Sequence, residues 1–273
     1  MAIQRETPIT PRRLRFNVPS TLPKYWNDNC PVKTHLLNAI SILAPAFERL
    51  AIVSVLPFRD QIKDPILKEQ LQGFIGQESA HGSEFIRYNQ VLKTHGYDVK
   101  KREKGNLRKF KWVSSKLSPK MHLSLTLAAE HLTAIISDLL LRETQWLENA
   151  EASCAGLWRW HAIEEIEHKA VVFDAYQHLG GGYFTRIAGM WIVSWLLGGL
   201  LFSNFCHLII RDKLIFKPSF WGRWFDVCWS KDGGFIRKLI LPYLSYYLPW
   251  FHPWKQNNQD LILHWKEFIE RGI

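Results

Sequence analysis

The chain has 273 residues, of which 47% are hydrophobic, so it is long enough for one large domain or a domain with an appendage and needs no cross-links to build a core. Its four cysteines, Cys30, Cys154, Cys206 and Cys228, form no Cys-x-x-Cys pair, which excludes a zinc ribbon and a disulfide framework and fits a reducing compartment. The net charge of +10 fits nucleic acid or an anionic membrane surface, but no zinc finger, RNA-binding aromatic signature or helix-turn-helix is present, and nucleic acid is not expected as a partner.

Residues 1–34 carry prolines at 8, 11, 19, 23 and 31 and read as an extended arm with no apolar signal core, an expectation against secretion. A first helix is expected over 35–56, with a late start or a kink at Pro45. A second starts at Asp64-Pro65, a cap followed by proline, and runs to His95, where Gly96 stops it. Residues 97–118 are a basic connector containing Lys100, Lys101, Arg102, Lys104, Arg108, Lys109, Lys111 and Lys116. It reads either as a solvated loop or as a patch for lipid headgroups. A third helix is expected from Ser118-Pro119 to Asn149, and a fourth over 151–178, ending before Gly180-Gly181-Gly182.

These four helices carry a repeated pattern. Glu78-Ser79-Ala80-His81 and Glu165-Ile166-Glu167-His168 are both Glu-x-x-His, and a lone glutamate precedes each: Glu48 before the first, Glu130 before the second. Residues three or four apart share a helix face. Two lone glutamates plus two Glu-x-x-His pairs form the set with which four-helix bundles hold a pair of iron or manganese ions. His161, four residues before Glu165, lies on the same face and extends the set to seven. Glu164 also lies near that face; Glu165 reproduces the spacing of the first copy. A single Glu-x-x-His is ordinarily a solvated surface pair, but these sit among Phe74, Phe85, Trp158, Trp160 and Phe173, and charges on a buried helix need partners or a metal. Carboxylates and imidazoles without thiolate suit iron or manganese rather than structural zinc.

The stretches from Phe74 to His81 and from Leu157 to Ala170 resemble a bacterial family described as "predicted metal-dependent hydrolase", part of the ferritin-like superfamily. The resemblance covers roughly residues 35–180 with specific motifs, and more loosely the remainder, and implies a ferritin-like four-helix bundle around two metal ions. The extra His161 is similar to the seven-ligand pattern of ferritin-like arylamine N-oxygenases. The expectation is therefore an all-α protein: an arm (1–34), a di-metal bundle (35–180) and an apolar, aromatic-rich helical extension (181–273). The metal ligands expected are Glu48, Glu78, His81, Glu130, His161, Glu165 and His168. Thr133, three residues after Glu130, is a candidate for proton handling.

The leading expectation is an enzyme with two iron ions (manganese or a mixed pair as alternatives) that activates O₂, takes electrons from an external donor protein, and oxidises an apolar aromatic or acyl-chain substrate. The alternative is hydrolysis by a metal-activated hydroxide.

After residue 181 the composition changes. Ile187 to Ile210 contains no Asp, Glu, Lys or Arg, a length that can span a bilayer core of about 30 Å. Leu239 to Pro253 is also uncharged, and eight of the thirteen tryptophans follow residue 190, where Trp and Tyr would suit a membrane–water interface. Three readings stand for this region: a membrane span, an apolar helix or hairpin within one leaflet, and a soluble core helix or dimer interface. A homodimer is expected, in the cytoplasm or at the inner face of the cytoplasmic membrane.

Overall fold

Prolines and side-chain caps mark where the helices begin. In the computed structural model, which describes residues 9–231 and 234–270, α1 spans Pro31–Val55 with proline in its first turn. α2 spans Pro65–Leu92. The Asp64 carboxylate accepts from the backbone N–H groups of Ile66 and Leu67, and Pro65 fills a position whose missing N–H costs nothing. A single 3₁₀ turn follows and ends at Gly96, whose φ of +82° favours a residue without Cβ. α3 spans Val99–Ser114. α4 spans Pro119–Arg142 and is capped by the Ser118 hydroxyl, which accepts from the N–H of Met121. α5 spans Ala152–His168, its start capped by the Glu151 carboxylate accepting from the N–H of Cys154. Then come α6 (Val171–His178), α7 (Tyr183–Arg211), α8 (Pro218–Trp229), α9 (Phe235–Ser245) and α10 (Gln259–Glu270). No strand occurs among the described residues, so the chain is all-α, as its sequence predicts.

Several boundaries differ from the sequence reading. The connector over 97–118 is helix α3, not a loop. Val99, Asn106 and Phe110, spaced seven and four apart, are buried on one face, and the Lys and Arg between them are good helix formers. The first helix starts at Pro31 and continues through Pro45. The third stops at Arg142, before a 3₁₀ turn over Thr144–Trp146. The fourth breaks after His168, where Lys169 turns its ammonium to the Gln256 carbonyl and the Asn258 side chain. Residues 1–8 of the expected arm lie outside the described residues.

α1 packs on α2 and α4 on α5, and contacts of α1 with α4 and of α2 with α5 close a four-helix bundle. α7 lies over α1 and α4, α3 over α1, α9 over α4 and α10 over α5. The helices after residue 181 therefore share the bundle's core: Met190, Val193 and Leu197 of α7 are buried with Phe47 of α1 and Leu127 of α4. α1, α4 and α7 are each long and apolar enough to cross a membrane by length and composition. Their environments separate them: the apolar windows of α1 and α4 are 67% and 78% buried, that of α7 only 39%. Core packing accounts for the first two and not for the third.

The arm is a strap rather than a free tail. A Cβ at Gly73 would lie 2.1 Å from the Ile9 carbonyl oxygen, and one at Gly76 would lie 2.4 Å from Pro11 Cγ. These two glycines on α2 let residues 9–11 lie flat against the helix, which fixes the place of Arg12. Leu22 and Trp26 are buried further along.

Candidate metal centre

Glu48 of α1, Glu78 and His81 of α2, Glu130 of α4, and His161, Glu165 and His168 of α5 all point into the bundle and are buried. They form two groups, Glu48–His81–His161–Glu165 and Glu78–Glu130–His168, and within each group one donor atom per residue lies within 4.8 Å of the others. An ion bonded at about 2.1 Å holds opposite donors about 4.2 Å apart, so a contraction of a few tenths of an ångström would close either shell. Two residues face both groups. Glu165 Oε1 lies 3.1 Å from His161 Nε2 and 3.5 Å from His81 Nδ1, while its Oε2 lies 3.3 Å from His168 Nε2. Glu78 Oε1 lies 3.4 Å from His168 Nδ1 and 3.7 Å from His81 Nδ1. Either carboxylate is placed to bridge.

The hydrogen-bond accounting tests whether these residues fit metal ions. Among the described residues no hydrogen-bond partner exists for Glu48 Oε2, either oxygen of Glu78, Glu130 or Glu165, His81 Nδ1, His161 Nε2 or either nitrogen of His168. Buried polar groups are rarely left so, and one unsatisfied group costs about 1–3 kcal/mol. Eleven such atoms converge on one space, an arrangement that a pair of cations would satisfy. The electrostatics agree. Burial pushes the Glu48 carboxyl up to about 7, and burial with neighbouring carboxylates pushes Glu78 and Glu130 well above the ordinary range. Glu165 goes the other way: burial opposes its charge, but His168 and His161 hold it well below that range. The donor set fits a pair of divalent ions.

Glu164 has a different place. Its Oε2 meets His81 Nε2 at 3.0 Å, while its Oε1 accepts from the backbone N–H and Nη1 of Arg12, both at 3.1 Å. Arg12 also forks onto Glu167 at 2.6 and 2.8 Å, and Gln77 donates to Glu167 at 3.1 Å. The Nε2 proton of His81 therefore points at Glu164, and Nδ1 is left facing the cluster. Such a carboxylate–histidine contact fixes the tautomer and orientation of a ligating ring. The His81 imidazole is held charged well above its usual range: burial opposes this, and Glu164, Glu165 and Glu78 outweigh it. Thr133 lies outside both groups. Its hydroxyl donates to the Glu130 carbonyl at 3.1 Å, a helix back-bond.

Two cavities reach the cluster. One, of about 280 Å³, lies between α1, α4, α7 and α9 and touches Glu48 and His161. The other, of about 520 Å³, lies between α1, α2 and α3, touches Glu48 and Glu78, and has Arg49, Glu103 and Lys104 in its wall. The structure brings together the seven residues that sequence patterning picks out. The patterning missed Arg12, Glu164 as a support for His81, Glu167 and Gln77, because their pairings join segments 67 to 155 residues apart. Only the unexplained second glutamate, Glu164, hinted at them.

Residues 10–257 match the model of a family described as "predicted metal-dependent hydrolase". The matched stretch includes Arg12, both Glu-x-x-His helices, α7 and α9. No curated protein and no solved structure matches the chain significantly.

Proposed function

Since this chain belongs to the family of predicted metal-dependent hydrolases, we propose that it is a di-metal enzyme that cleaves an ester or amide of an apolar substrate. The observation that carries this reading is the convergence on one space of eleven buried donor atoms that have no hydrogen bond. Glu48, His81, His161 and Glu165 would hold one ion, Glu78, Glu130 and His168 the other, with Glu165 and Glu78 facing both. When bound, such a pair supplies Lewis acidity and lowers the pKa of water. The protein's own part is positional. Glu164 holds the His81 ring, Arg12 holds Glu164, and the small apolar cavity seats the substrate against Glu48 and His161 while excluding water from its apolar part.

A second reading, O₂-dependent oxidation by two iron ions with an external electron donor, is favoured by the donor set itself. Four carboxylates match the charge of two dications, no thiolate is present, and His161 is a third imidazole beside them.

The test is metal analysis of purified protein followed by assays of p-nitrophenyl esters of increasing chain length, without oxygen or reductant. Hydrolysis that a chelator abolishes and that His81→Ala lacks supports the first reading. Oxygen uptake that needs a reductant, with no anaerobic turnover, transfers the weight to the second. Protein that retains no metal overturns both.

A further inference from the structure

The cavity beneath α7 has an apolar wall and ends at two of the proposed ligands. Leu43, Phe47, Leu132, Ile136, Leu197 and Leu201 form its sides, and Glu48 and His161 close its inner end. Its outer end is built from Ser194 and Gly198 of α7 and Tyr243 of α9, with Ser194 and Tyr243 hydroxyls hydrogen-bonded at 2.9 Å. At about 280 Å³ it lies at the lower edge of ligand pockets, which run from about 300 to 1,000 Å³. That size suits one chain or ring and not a two-chain lipid.

The surface around this mouth is apolar. Trp191, Trp195 and Phe202 on α7 are 56%, 76% and 70% exposed, and Leu241 and Leu244 on α9 are 78% and 52% exposed. The Ser194–Tyr243 hydrogen bond joins the two helices, and the Trp191 ring centroid lies 6.5 Å from that of Tyr247, just past the end of α9, so the apolar face is continuous. No charged residue occurs from Ile187 to Ile210. Exposed patches of this kind mark interaction sites.

The charge beside the patch identifies what covers it. α3 carries seven Lys or Arg residues and one Glu, and it runs beside the C-terminal half of α7: Arg102 donates to Ser203 Oγ at 2.6 Å and to Asn204 Oδ1 at 3.0 Å. A second copy would bring another +10 chain against this one and would seal the mouth at Gly198. An anionic bilayer accepts both features: tryptophans settle at its interface, and basic residues near its surface are drawn to the headgroups.

We propose that the α7–α9 face rests on an anionic membrane and that a single-chain apolar substrate dissolved there enters the cavity at Gly198 and reaches Glu48 and His161. The substrate assignment rests on the functional reading above; the membrane contact does not.

Three measurements on one metal-analysed preparation test this. Flotation with phosphatidylcholine vesicles, with and without phosphatidylglycerol, should show binding to the anionic vesicles that weakens with salt. Vesicles with brominated acyl chains should quench tryptophan fluorescence, and Trp195→Glu should reduce both signals. For the cavity, cis-parinaric acid serves as the apolar-chain probe. A Cβ at Gly198 meets nothing within 4 Å, so Gly198→Phe should fold, keep its metal and bind vesicles, yet lose about tenfold in probe affinity. Absence of vesicle binding would overturn the proposal, and a dimer that Trp195→Glu splits would then make the face a self-association surface. Unchanged probe affinity in Gly198→Phe would overturn the entry route. A metal-free wild type would overturn the functional reading and the substrate assignment, leaving the vesicle result to stand alone.

Discussion

Two clusters of polar side chains, one buried and one partly buried, differ in how their carboxylates are served. Asp212, at the end of α7, has four partners: Lys24 Nζ at 2.5 Å, Tyr97 OH at 2.8 Å, His35 Nε2 at 3.0 Å and Tyr25 OH at 3.1 Å. Burial opposes its charge, but His35, Lys24 and Tyr97 outweigh that, and its carboxyl is held well below the usual range. Glu48, Glu78 and Glu130 face other carboxylates across the bundle and are pushed the other way. A carboxylate surrounded by donors is a joint: it ties the strap before α1 to the end of α7. Carboxylates gathered round three histidines, most of their oxygens without a hydrogen bond, form an arrangement that a pair of cations would complete. Neither burial nor the direction of the shift separates these cases, since His168 and His161 hold Glu165 low as well; the difference is that the oxygens of Glu78, Glu130 and Glu165 lack hydrogen bonds, whereas Asp212 has several.

The largest expected effect breaks one cluster and spares the other. Glu165 faces both donor groups, so Glu165→Ala should take metal content from about two ions per chain to near zero by atomic emission, whereas Asp212→Asn should leave it unchanged. Chelation should lower the melting temperature of wild type and not of Glu165→Ala, since a ligand that binds only the native state stabilises it by about 4 kcal/mol at a thousandfold excess over its Kd. Full occupancy in Glu165→Ala would remove the distinction between the clusters.

Next in size is the fully partnered carboxylate. Asp212→Asn should cost about 2–3 kcal/mol at pH 7, as expected for losing hydrogen bonds to a charged group. The sign with pH follows from the depressed carboxyl. Between the unfolded value of about 4 and the lower native value, the unfolded chain binds the extra proton. The contribution is therefore complete above about pH 4 and is lost as pH falls through the native value. Urea titrations of wild type and variant should diverge at neutral pH and converge in acid. A constant gap would mean that packing, not charge, holds this joint.

The sequence shows the Glu/His cluster far better than the Asp212 joint, and the reason is range. Glu78 with His81, and His161 with Glu165 and His168, repeat at helical spacing, so one face can be read from the chain alone. The lone glutamates Glu48 and Glu130 follow from the repetition. Asp212 meets Lys24, Tyr25, His35 and Tyr97, which lie 115 to 188 positions away and follow no period. Helix α3 escaped notice because its apolar residues are only Val99, Leu107, Phe110, Trp112 and Val113 among many lysines and arginines, and a basic run reads equally well as a loop. The break after His168 has no proline or glycine to signal it.

A smaller effect tests the support behind His81. Glu164→Gln keeps the shape and an acceptor for the Nε2 proton but removes the charge. It should weaken metal binding about 10–100-fold, the range for partners of ligating histidines. Competition with a chromogenic chelator measures this. Loss confined to the Glu48–His81–His161–Glu165 position would sharpen the assignment, since Glu164 touches no residue of the other group.

Arg12→Ala should have the smallest effect, and its size is informative. Substitution removes the guanidinium fork to Glu167 and one contact to Glu164, but the backbone N–H of residue 12 still donates to Glu164 Oε1. That N–H is placed by the strap lying on Gly73 and Gly76, not by the arginine side chain. With the Arg12 side chain about 15% exposed, its pairs are partly screened, so about a threefold to tenfold loss in metal affinity and roughly 1 kcal/mol in stability are expected. Gly76→Val, which would lift Pro11 and residue 12 together, should then exceed Arg12→Ala in its effect on affinity. If the two variants are equal, the guanidinium alone orients Glu164, and the strap serves only to deliver it.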